Sequence, residues 1–526
     1  MRGIRGAESE DFFMLQIQHL TVTHRRDLRT VLDDFNFVLN PGDRAAVVGE
    51  EGNGKSTLLK WIYDPALVEP YADAEGFRST QGETLGYLPQ ELAEEDKGKT
   101  VYEFFAGRDS FLAASPRALA ALERKLALPE GIWYAEQRMG TLSGGEKIKL
   151  QMAALLLAEP DILLLDEPSN DVDLETLEWL ETLINGWRGG VLFVSHDETL
   201  IENTANRIIL LEQLRRKTAS RWTVANVPFA QFRAERAARF EKQAQEAGNE
   251  RREEKKAMER FRRIQQSVES AQENVSRRDP STGRLLKKKM ANVKAMEKRY
   301  AREHEEMTDY PEYESPILIR FHTERTIPAG KTVLDFTLPE LRAGGRVLAR
   351  DIALMVRGPE KICIVGKNGA GKTTLLRAVT DELLARADLC ACCMPQDYEE
   401  HLDLDATPPD FLVPSGDREA LKTARTYLGS LRYTAEEMSH SVRALSGGQK
   451  AKLLLLKLCL ANADVLILDE PTRNLSPLSG PEVRALLRSF PGAIISVSHD
   501  RRYISEVCGT VYRLDGNGLT KGRVAE

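Results

Sequence analysis

Two copies of a glycine-rich loop constrain this chain more than any other feature. Residues 49–57 read GEEGNGKST and residues 366–374 read GKNGAGKTT. In each copy an apolar run precedes the loop, and a helix-like stretch follows it. Glycines let several backbone N–H groups converge on anionic oxygens, and the start of a helix adds the positive end of its dipole. The chain is therefore expected to contain two phosphate sites, each on a strand–loop–helix unit.

Each loop contains the side chains that a triphosphate site needs. The glycines form the backbone cradle, the lysine reaches the β- and γ-phosphates, and the first hydroxyl residue ligates Mg²⁺. The expected phosphate-binding residues are Gly49, Gly52, Gly54, Lys55, Ser56 and Thr57 in the first copy, and Gly366, Gly369, Gly371, Lys372, Thr373 and Thr374 in the second.

An internal repeat extends well beyond these loops. Lys55 and Lys372 are 317 residues apart, and Gln90 and Gln396 are 306 apart. Three further pairs are each separated by 303 residues: Ser143 and Ser446, Glu167 and Glu470, His196 and His499. The same order of landmarks indicates a tandem duplication. Strand-like and helical stretches alternate within each copy, which predicts an α/β fold with a largely parallel sheet in both.

Composition narrows the class of protein. A chain of 526 residues can form two or three domains with full cores. No apolar run approaches the roughly 20 residues that a membrane span requires, and the N-terminus lacks the pattern of a secretory signal. We therefore expect a cytoplasmic protein. The six cysteines all lie in the second half. For the cluster LCACC, a buried strand is favoured over a metal site because no histidine pair at ligand spacing lies nearby.

Residues 231–310 differ from the rest and are rich in Arg, Lys, Glu, Gln and Ala. Apolar residues there step by three and four, which predicts a coiled-coil seam at Phe261, Ile264, Val268, Ala271 and Val275, and a second stripe at Met290, Val293, Met296 and Tyr300. Pro280 and Gly283 between the stripes favour a turn. The prediction is a helical hairpin whose first helix, about 40 residues and about 60 Å long, projects from the globular part.

The tip of this hairpin carries concentrated positive charge. Residues 275–300 contain nine Lys and Arg against Asp279 and Glu297, whereas the whole chain has a net charge of −7. A cationic tip on an acidic body favours insertion into a ribonucleic-acid cleft. The alternative is a solvated coiled-coil spacer, which the excess of one sign of charge disfavours.

Acidic residues end two apolar strands, ILLLDEP and VLILDEP, as a metal-dependent phosphoryl-transfer site requires. Asp166 and Asp469 would bind Mg²⁺, and Glu167 and Glu470 would polarise the attacking water. Gln90 and Gln396 would sense the metal and γ-phosphate, and His196 and His499 would contact that phosphate. Taken singly, Gln90 also fits a surface glutamine and His196 a core histidine; their ordered repetition favours the functional interpretation.

Two further motifs, LSGGE and LSGGQ, place donors at a helix N-terminus for a second face of the triphosphate. Together with SHD at 195–197 and 498–500, they resemble the ATP-binding cassette (ABC) ATPases over nearly everything outside the hairpin. The resemblance implies ATP and Mg²⁺ as cofactors, ATP hydrolysis, and a head-to-tail sandwich with two composite sites. Site one would join Lys55, Gln90, Asp166, Glu167 and His196 to Ser446, Gly447 and Gly448. Site two would join Lys372, Gln396, Asp469, Glu470 and His499 to Ser143, Gly144 and Gly145.

Two cassettes joined by a charged hairpin resemble the ABC-F subfamily. The implied domains are a first cassette at 1–222, a hairpin linker at 223–311 with its basic tip near 276–290, and a second cassette at 312–526. The subfamily implies a monomer, not bound to membranes, that engages the E site of the large ribosomal subunit, with rRNA and tRNA, when ATP closes it. The tip RRDPSTGRLLKKKM resembles antibiotic-resistance members, which counter lincosamides, streptogramins A and pleuromutilins. The implied RNA-binding residues are Arg277, Arg278, Arg284, Leu285, Leu286, Lys287, Lys288 and Lys289.

Other functions stay open at this point. A housekeeping translation factor would share every motif, whereas the motor of a membrane transporter or a coiled-coil DNA clamp fits the short basic hairpin less well. The chain also departs from the family pattern. Glu51 stands where asparagine is usual. After Glu470 the chain reads PTRNLSP, in which Arg473 and Ser476 replace the usual Asn and Asp. An adenine-stacking tyrosine before Lys55 is not evident, and His24 lies near that place.

Overall fold

The computed structural model describes residues 14–214, 219–273, 287–296, 298–299, 320–321, 326–431 and 433–522. Contacts divide the chain into two units, Met1–Phe229 with Glu314–Glu526 and Ala230–Tyr313. Within the described ranges, every helix is too short or too polar to cross a membrane. The domain boundaries after residues 222 and 311 stay predictions.

The first copy contains two sheets. Their strands are β1 (Leu15–His24), β2 (Thr30–Leu39), β3 (Arg44–Gly49), β4 (Ala72–Ser79), β5 (Leu85–Leu88), β6 (Ile162–Asp166), β7 (Gly190–Val194), β8 (Arg207–Leu214) and β9 (Ala219–Ala225). The larger sheet has the order β5-β6-β7-β3-β8-β9, and only its β8–β9 pair is antiparallel. A smaller antiparallel sheet has the order β2-β1-β4. Strands β6 and β7 are fully buried, as their unbroken apolar runs predict.

Helices cover the larger sheet and form a separate helical layer. They are α1 (Lys55–Tyr63), α2 (Glu94–Lys97), α3 (Val101–Ala106), α4 (Asp109–Leu112), α5 (Pro116–Leu126), α6 (Gly144–Leu157), α7 (Leu174–Asn185) and α8 (Glu198–Thr204). Residues from α3 to α6 share one apolar cluster around Phe105 and Trp133. The stretch between β5 and β6 is therefore largely helical, and α6 ends at Leu157.

The second copy repeats this plan. Its strands are β10 (Thr332–Ala343), β11 (Arg346–Arg357), β12 (Lys361–Val365), β13 (Ala391–Met394), β14 (Val465–Asp469), β15 (Ala493–Val497), β16 (Thr510–Asp515) and β17 (Gly518–Gly522). The order β13-β14-β15-β12-β16-β17 matches the first copy strand for strand, while β10 and β11 form a two-stranded sheet. The cysteine-rich run forms β13, so the strand interpretation of LCACC is confirmed, but the expected burial is wrong: Cys390 is exposed, and Cys392 and Cys393 are only partly buried.

The helices of the second copy occupy corresponding places in the chain. They are α11 (Lys372–Leu384), α12 (Pro408–Leu412), α13 (Arg418–Ser430), α14 (Gly447–Leu460), α15 (Gly480–Ser489) and α16 (Arg501–Val507). Helices α6 and α14 follow the serines of LSGGE and LSGGQ, which are the signature motifs of the two copies. Both helices begin with the same capping box, in which a serine and the residue three positions later satisfy each other's backbone N–H groups. The tandem α/β fold expected from the repeat is therefore confirmed.

A long helix, α9 (Phe229–Glu273), separates the copies. Its 45 residues correspond to about 68 Å at 1.5 Å per residue. A second helical stretch, α10, covers residues 287–296. Phe261, Val268 and Val293 are buried together, with Met258, Met290 and Met296 packed against them. Ile264 departs from the predicted seam because its side chain is 43% exposed. Residues Ala271, Val275 and Tyr300 of the predicted seam lie outside the residues whose side chains are described.

Candidate nucleotide sites

The two phosphate loops have the same local geometry. Gly54 and Gly371, just before α1 and α11, adopt φ angles of +87° and +95°, which L side chains rarely adopt. A Cβ atom on Gly54 would also lie 3.1 Å from the Val31 side chain. Lys55 Nζ donates to the carbonyls of Gly49 and Glu50, each at 3.0 Å. Lys372 Nζ donates to Gly366 and Lys367 at 2.9 and 3.0 Å, so both ammonium groups are held over their own loops.

The predicted metal ligands lie beside these loops. Ser56 Oγ donates to Asp166 Oδ1 at 2.8 Å, and the hydroxyl of Tyr87, which sequence reasoning missed, donates to Asp166 Oδ2 at 3.3 Å. Burial raises the pKa of Asp166 to about 6, although the Ser56 hydrogen bond opposes the rise. Asp469 Oδ1 is buried and has no hydrogen-bond partner among the described residues. A carboxylate oxygen left unpaired beside a hydroxyl residue suits a hard cation such as Mg²⁺.

Both candidate catalytic glutamates stand in strained backbone. Glu167 and Glu470 follow β6 and β14 with φ angles of 52° and 51°. This left-handed region is costly for a residue with a side chain, and it recurs at functional sites. Strain at the same position in both copies indicates a place where carboxylate orientation matters more than local stability. Sequence reasoning gave the residue but not this conformation.

The histidines differ between the two copies. His196 Nε2 lies 2.9 Å from Glu167 Oε1, and His196 Nδ1 lies 2.7 Å from the Leu475 carbonyl of the second copy. His499 Nε2 lies 3.8 Å from Glu470 Oε1, and His499 Nδ1 is buried without a hydrogen-bond partner in the described ranges. The first histidine is thus fixed between two acceptors, while the second makes no comparable pair.

The glutamates consequently have opposite electrostatics. Burial alone would raise the pKa of Glu167, but His196 and Lys55 outweigh it and hold that pKa below its usual value. Burial and the neighbouring Asp469 charge raise the pKa of Glu470 to about 8. Burial and Lys372 lower the pKa of His499 to about 4, so this ring is neutral at pH 7.

These opposite shifts predict opposite effects on stability. Glu470, whose pKa is raised, destabilises the folded state increasingly as pH rises from 4.5 towards 8. Glu167, whose pKa is lowered, stabilises the folded state at pH values above the pKa of the unfolded chain. In protein freed of nucleotide and Mg²⁺, Glu470→Gln should raise the melting temperature by about 3 °C or more at pH 8.5 and much less at pH 5. The matched change Glu167→Gln should lower it at pH 8.5. Differential scanning fluorimetry of both variants measures this, and shifts of the same sign at pH 8.5 would contradict the assignment.

Site two is an open cavity between the copies. Its volume is about 820 Å³, and it is lined by Ser143 and Gly144 from the first copy. From the second copy it is lined by the predicted residues Lys372, Thr373, Gln396, Asp469, Glu470 and His499. Gly145 does not line it; a Cβ there would lie 2.7 Å from Thr176 Oγ1. The cavity has the size expected of a small-ligand site.

At site one, a cavity of about 270 Å³ lies where the first phosphate loop meets the second copy. Ser446 and Gly448 of the second copy face the loop residues Glu50, Glu51 and Gly52 there. The Glu51 carboxylate accepts a hydrogen bond from the Gly448 N–H. Gln90 is exposed just after β5. Of the residues predicted for site one, Ser446 and Gly448 line this cavity, whereas Lys55, Gln90, Asp166, Glu167, His196 and Gly447 do not. The structure thus brings the first loop to the second signature motif, with Glu51 between them.

The loops after the catalytic glutamates also cross between the copies. Asp171 and Asn474, which occupy corresponding positions, adopt φ angles of 56° and 60°. Arg473 Nη2 donates to Asp171 Oδ2 at 3.0 Å, and Asn368 Nδ2 donates to the Asp171 carbonyl at 2.6 Å. Arg473, which departs from the family pattern, therefore contributes a bond between the copies.

Ion pairs between the copies share one polarity, which sequence reasoning missed. In those described, the acid belongs to the first copy and the base to the second. They are Glu50–Lys452, Asp171–Arg473, Glu175–Lys367, Glu181–Arg501, Asp197–Arg501, Glu198–Arg484 and Glu202–Arg502. The Glu198–Arg484 pair is buried and bidentate, with distances of 2.6 and 3.2 Å.

The candidate RNA-binding residues are only partly described. Arg277, Arg278, Arg284, Leu285 and Leu286 lie outside the described residues. Lys287, Lys288 and Lys289 are the first described residues of α10 and are exposed.

Comparisons with known sequences agree with this architecture. A family model described as "ABC transporter" matches residues 32–170 and 349–473. The ribosome protection protein VmlR of Bacillus subtilis is 26% identical over 529 residues, which cover 97% of this chain and 88% of that protein. The ATP-binding protein Uup of Escherichia coli K12 is 27% identical over 528 residues, or 93% of this chain and 78% of Uup.

Solved structures show a similar fold. A crystal structure of an archaeal ribosome recycling factor, aABCE1, with the ribosomal stalk protein aP1 matches with a TM-score of 0.57 and 18% identity. The match covers 95% of this chain and 89% of that one. A structure named RNase-L Inhibitor matches with a TM-score of 0.56 and 17% identity over 95% of this chain and 90% of its own.

Proposed function

We propose a ribosomal role for this chain, which belongs to the ATP-binding cassette family and is an ATP hydrolase of that type. In this proposal it is a cytoplasmic monomer. ATP closes the two copies, the closed form binds the large ribosomal subunit at the E site, and hydrolysis releases it. The leading role is protection of the ribosome from lincosamide, streptogramin A and pleuromutilin antibiotics.

One observation carries the proposal: a charged hairpin interrupts two cassettes whose sequence aligns with a ribosome protection protein over 97% of this chain. The described part of the hairpin begins with a 45-residue helix and includes three consecutive exposed lysines, Lys287 to Lys289. Clustered cations of this kind bind the phosphates of RNA, and their affinity falls steeply with salt.

The residues of each site suit triphosphate hydrolysis. Lys55 and Lys372 would bind the β- and γ-phosphates, and Mg²⁺, held by Ser56 with Asp166 and by Thr373 with Asp469, would neutralise phosphate charge. Glu470 would accept a proton from water as that water attacks the γ-phosphorus, and the bond to the bridging oxygen of ADP would break. The Ser143 hydroxyl and the Gly144 N–H, at the start of α6, would bind the γ-phosphate from the opposite copy.

The double variant Glu167→Gln/Glu470→Gln tests this role, because it keeps the phosphate loops but removes both candidate bases. We expect it to sediment with 70S ribosomes only when ATP is present, and to be released by raised salt. Sucrose-cushion centrifugation followed by immunoblotting measures the bound fraction. Sedimentation with membranes, or with neither fraction, would reject the ribosomal role.

Two further variants serve as controls in the same background. Lys55→Ala/Lys372→Ala should abolish ribosome binding because ATP no longer holds the copies together. Replacing Lys287, Lys288 and Lys289 together by Gln should weaken binding about tenfold and flatten its salt dependence, since fewer counterions are released. A spacer without RNA contacts would show no change in either quantity.

A housekeeping translation factor is the second candidate, and the relative Uup, named only as an ATP-binding protein, keeps it open. Expression of the wild-type chain in a drug-sensitive host separates the two. Growth on lincomycin or tiamulin should improve if the chain protects ribosomes. Unchanged susceptibility would favour the translation factor.

A further inference from the structure

The two copies differ at one position of the phosphate loop. Glu51 and Asn368 lie four residues before Lys55 and Lys372, so they are equivalent. Asn368 Nδ2 donates to the Asp171 carbonyl at 2.6 Å. Asp171 does not belong to LSGGE, the signature motif of site two. Glu51 instead reaches the N-terminus of α14, where its carboxylate accepts from the Gly448 N–H. One copy therefore presents a neutral amide and the other an anion.

The place that Glu51 occupies is the one prepared for phosphate. Hypothetical Cβ atoms on Gly447 and Gly448 would lie 3.2 and 3.0 Å from the Glu51 carboxylate oxygens, so these glycines permit its close approach. The N–H groups in the first turn of a helix, with the positive end of its dipole, favour an anion there. The Glu51 carboxylate takes one N–H of the motif, that of Gly448, which the resemblance assigns to ATP.

Neighbouring contacts hold this arrangement on both sides. Lys452 of α14 pairs with Glu50 at 2.6 Å, beside Glu51 in the chain. His196 bonds to Leu475 of the second copy and to Glu167. The cavity of about 270 Å³ beside Glu51 is not lined by Lys55 or Glu167, whereas the cavity of about 820 Å³ at site two is lined by Lys372 and Glu470. At site one the protein's own carboxylate thus occupies a donor of the motif, whereas at site two the phosphate loop and the motif line one cavity.

We propose that Glu51 is an internal anionic ligand of the second signature motif, which joins the copies at site one without ATP and weakens ATP binding there. ATP must displace this carboxylate from Gly448 and then bind beside its charge. Site two, with Asn368, binds ATP first. This inference rests on the proposed function only in treating each phosphate loop, with the signature motif that faces it, as an ATP site.

Equilibrium binding tests the proposal. In full-length Glu167→Gln/Glu470→Gln protein with Mg²⁺, radiolabelled ATP should bind at two sites whose affinities differ at least tenfold, or about 1.4 kcal/mol. Adding Glu51→Asn, which installs the residue of the other copy, should tighten the weaker site at least tenfold. Glu51→Gln, which removes the charge but keeps the shape, should act in the same direction.

The reciprocal change provides the matched control. Asn368→Glu should weaken the tighter site at least tenfold, and photocrosslinking with azido-ATP should assign that loss to the peptide containing Lys372. Circular dichroism melts check that each variant is folded. Equal affinities in the parent, or an unchanged weaker site in both Glu51 variants, would overturn the proposal. Absence of ATP binding from every folded variant would instead overturn the function on which it rests.

Discussion

Glu470→Gln is expected to lower kcat for ATP hydrolysis by about 100-fold or more, because a positioned general base contributes roughly 10²–10⁴-fold. The matched change Glu167→Gln is expected to lower kcat by less than about threefold, which lies well below that range. Glu470 lines the open cavity with Lys372 and Asp469. Glu167 is paired with His196, and at its site the Glu51 carboxylate accepts from the Gly448 N–H of the facing motif.

Steady-state phosphate release at saturating ATP measures both variants. ATP binding should persist in each, which separates loss of the base from loss of the site. His499→Gln is a third variant that should lower kcat through site two, because the neutral His499 ring lies beside Glu470. Equal losses in Glu167→Gln and Glu470→Gln would show that the sites turn over together and would contradict the asymmetry described above.

Arg484→Ala is expected to produce the largest loss of stability, roughly 3–5 kcal/mol, because it removes the cation from a buried ion pair. The Arg484 and Glu198 side chains are only 2% and 4% exposed. Arg484 also donates to Glu506 at 2.9 Å, so one side chain joins two carboxylates. Its removal leaves the buried Glu198 charge without this guanidinium.

The urea midpoint of the transition that separates the copies measures this loss, by intrinsic fluorescence. A double-mutant cycle with Glu198→Gln should give a combined loss well below the sum of the single losses, since both changes break one pair. Arg443→Ala is the control: Arg443 pairs with Asp405 on the surface, and its loss should leave the midpoint nearly unchanged. Strictly additive losses would show that Arg484 and Glu198 do not act as a pair.

Much of the fold could be predicted because its signals are local. The serine and the residue three positions later that start α6 and α14 are visible in LSGGE and LSGGQ, and both capping boxes form. Strands β6 and β14 are unbroken apolar runs that end in an aspartate. Each of these patterns occurs in both copies and in the same order, which chance rarely produces, so the repeat supports each prediction.

Features that depend on distant partners could not be predicted. Glu51 and Gly448 are 397 residues apart, and Arg484 and Glu198 are 286 apart. Glu51 was visible as a departure from the family pattern, but nothing in its local sequence indicates its partner. Ile264 has the correct spacing for the seam and is still exposed. A straight helix drifts from a strict 3.5-residue repeat, so spacing alone does not decide which side chains face the partner helix.

The polarity of the ion pairs between the copies has a consequence for partner choice. If two chains met through first copies alone, carboxylates such as Glu181, Glu198 and Glu202 would face carboxylates, and two second copies would likewise oppose arginines. Repulsion between like charges disfavours both encounters, while the opposite signs within one chain attract. A duplicated protein whose halves are similar enough to self-associate thereby gains a reason to fold onto itself instead of polymerising.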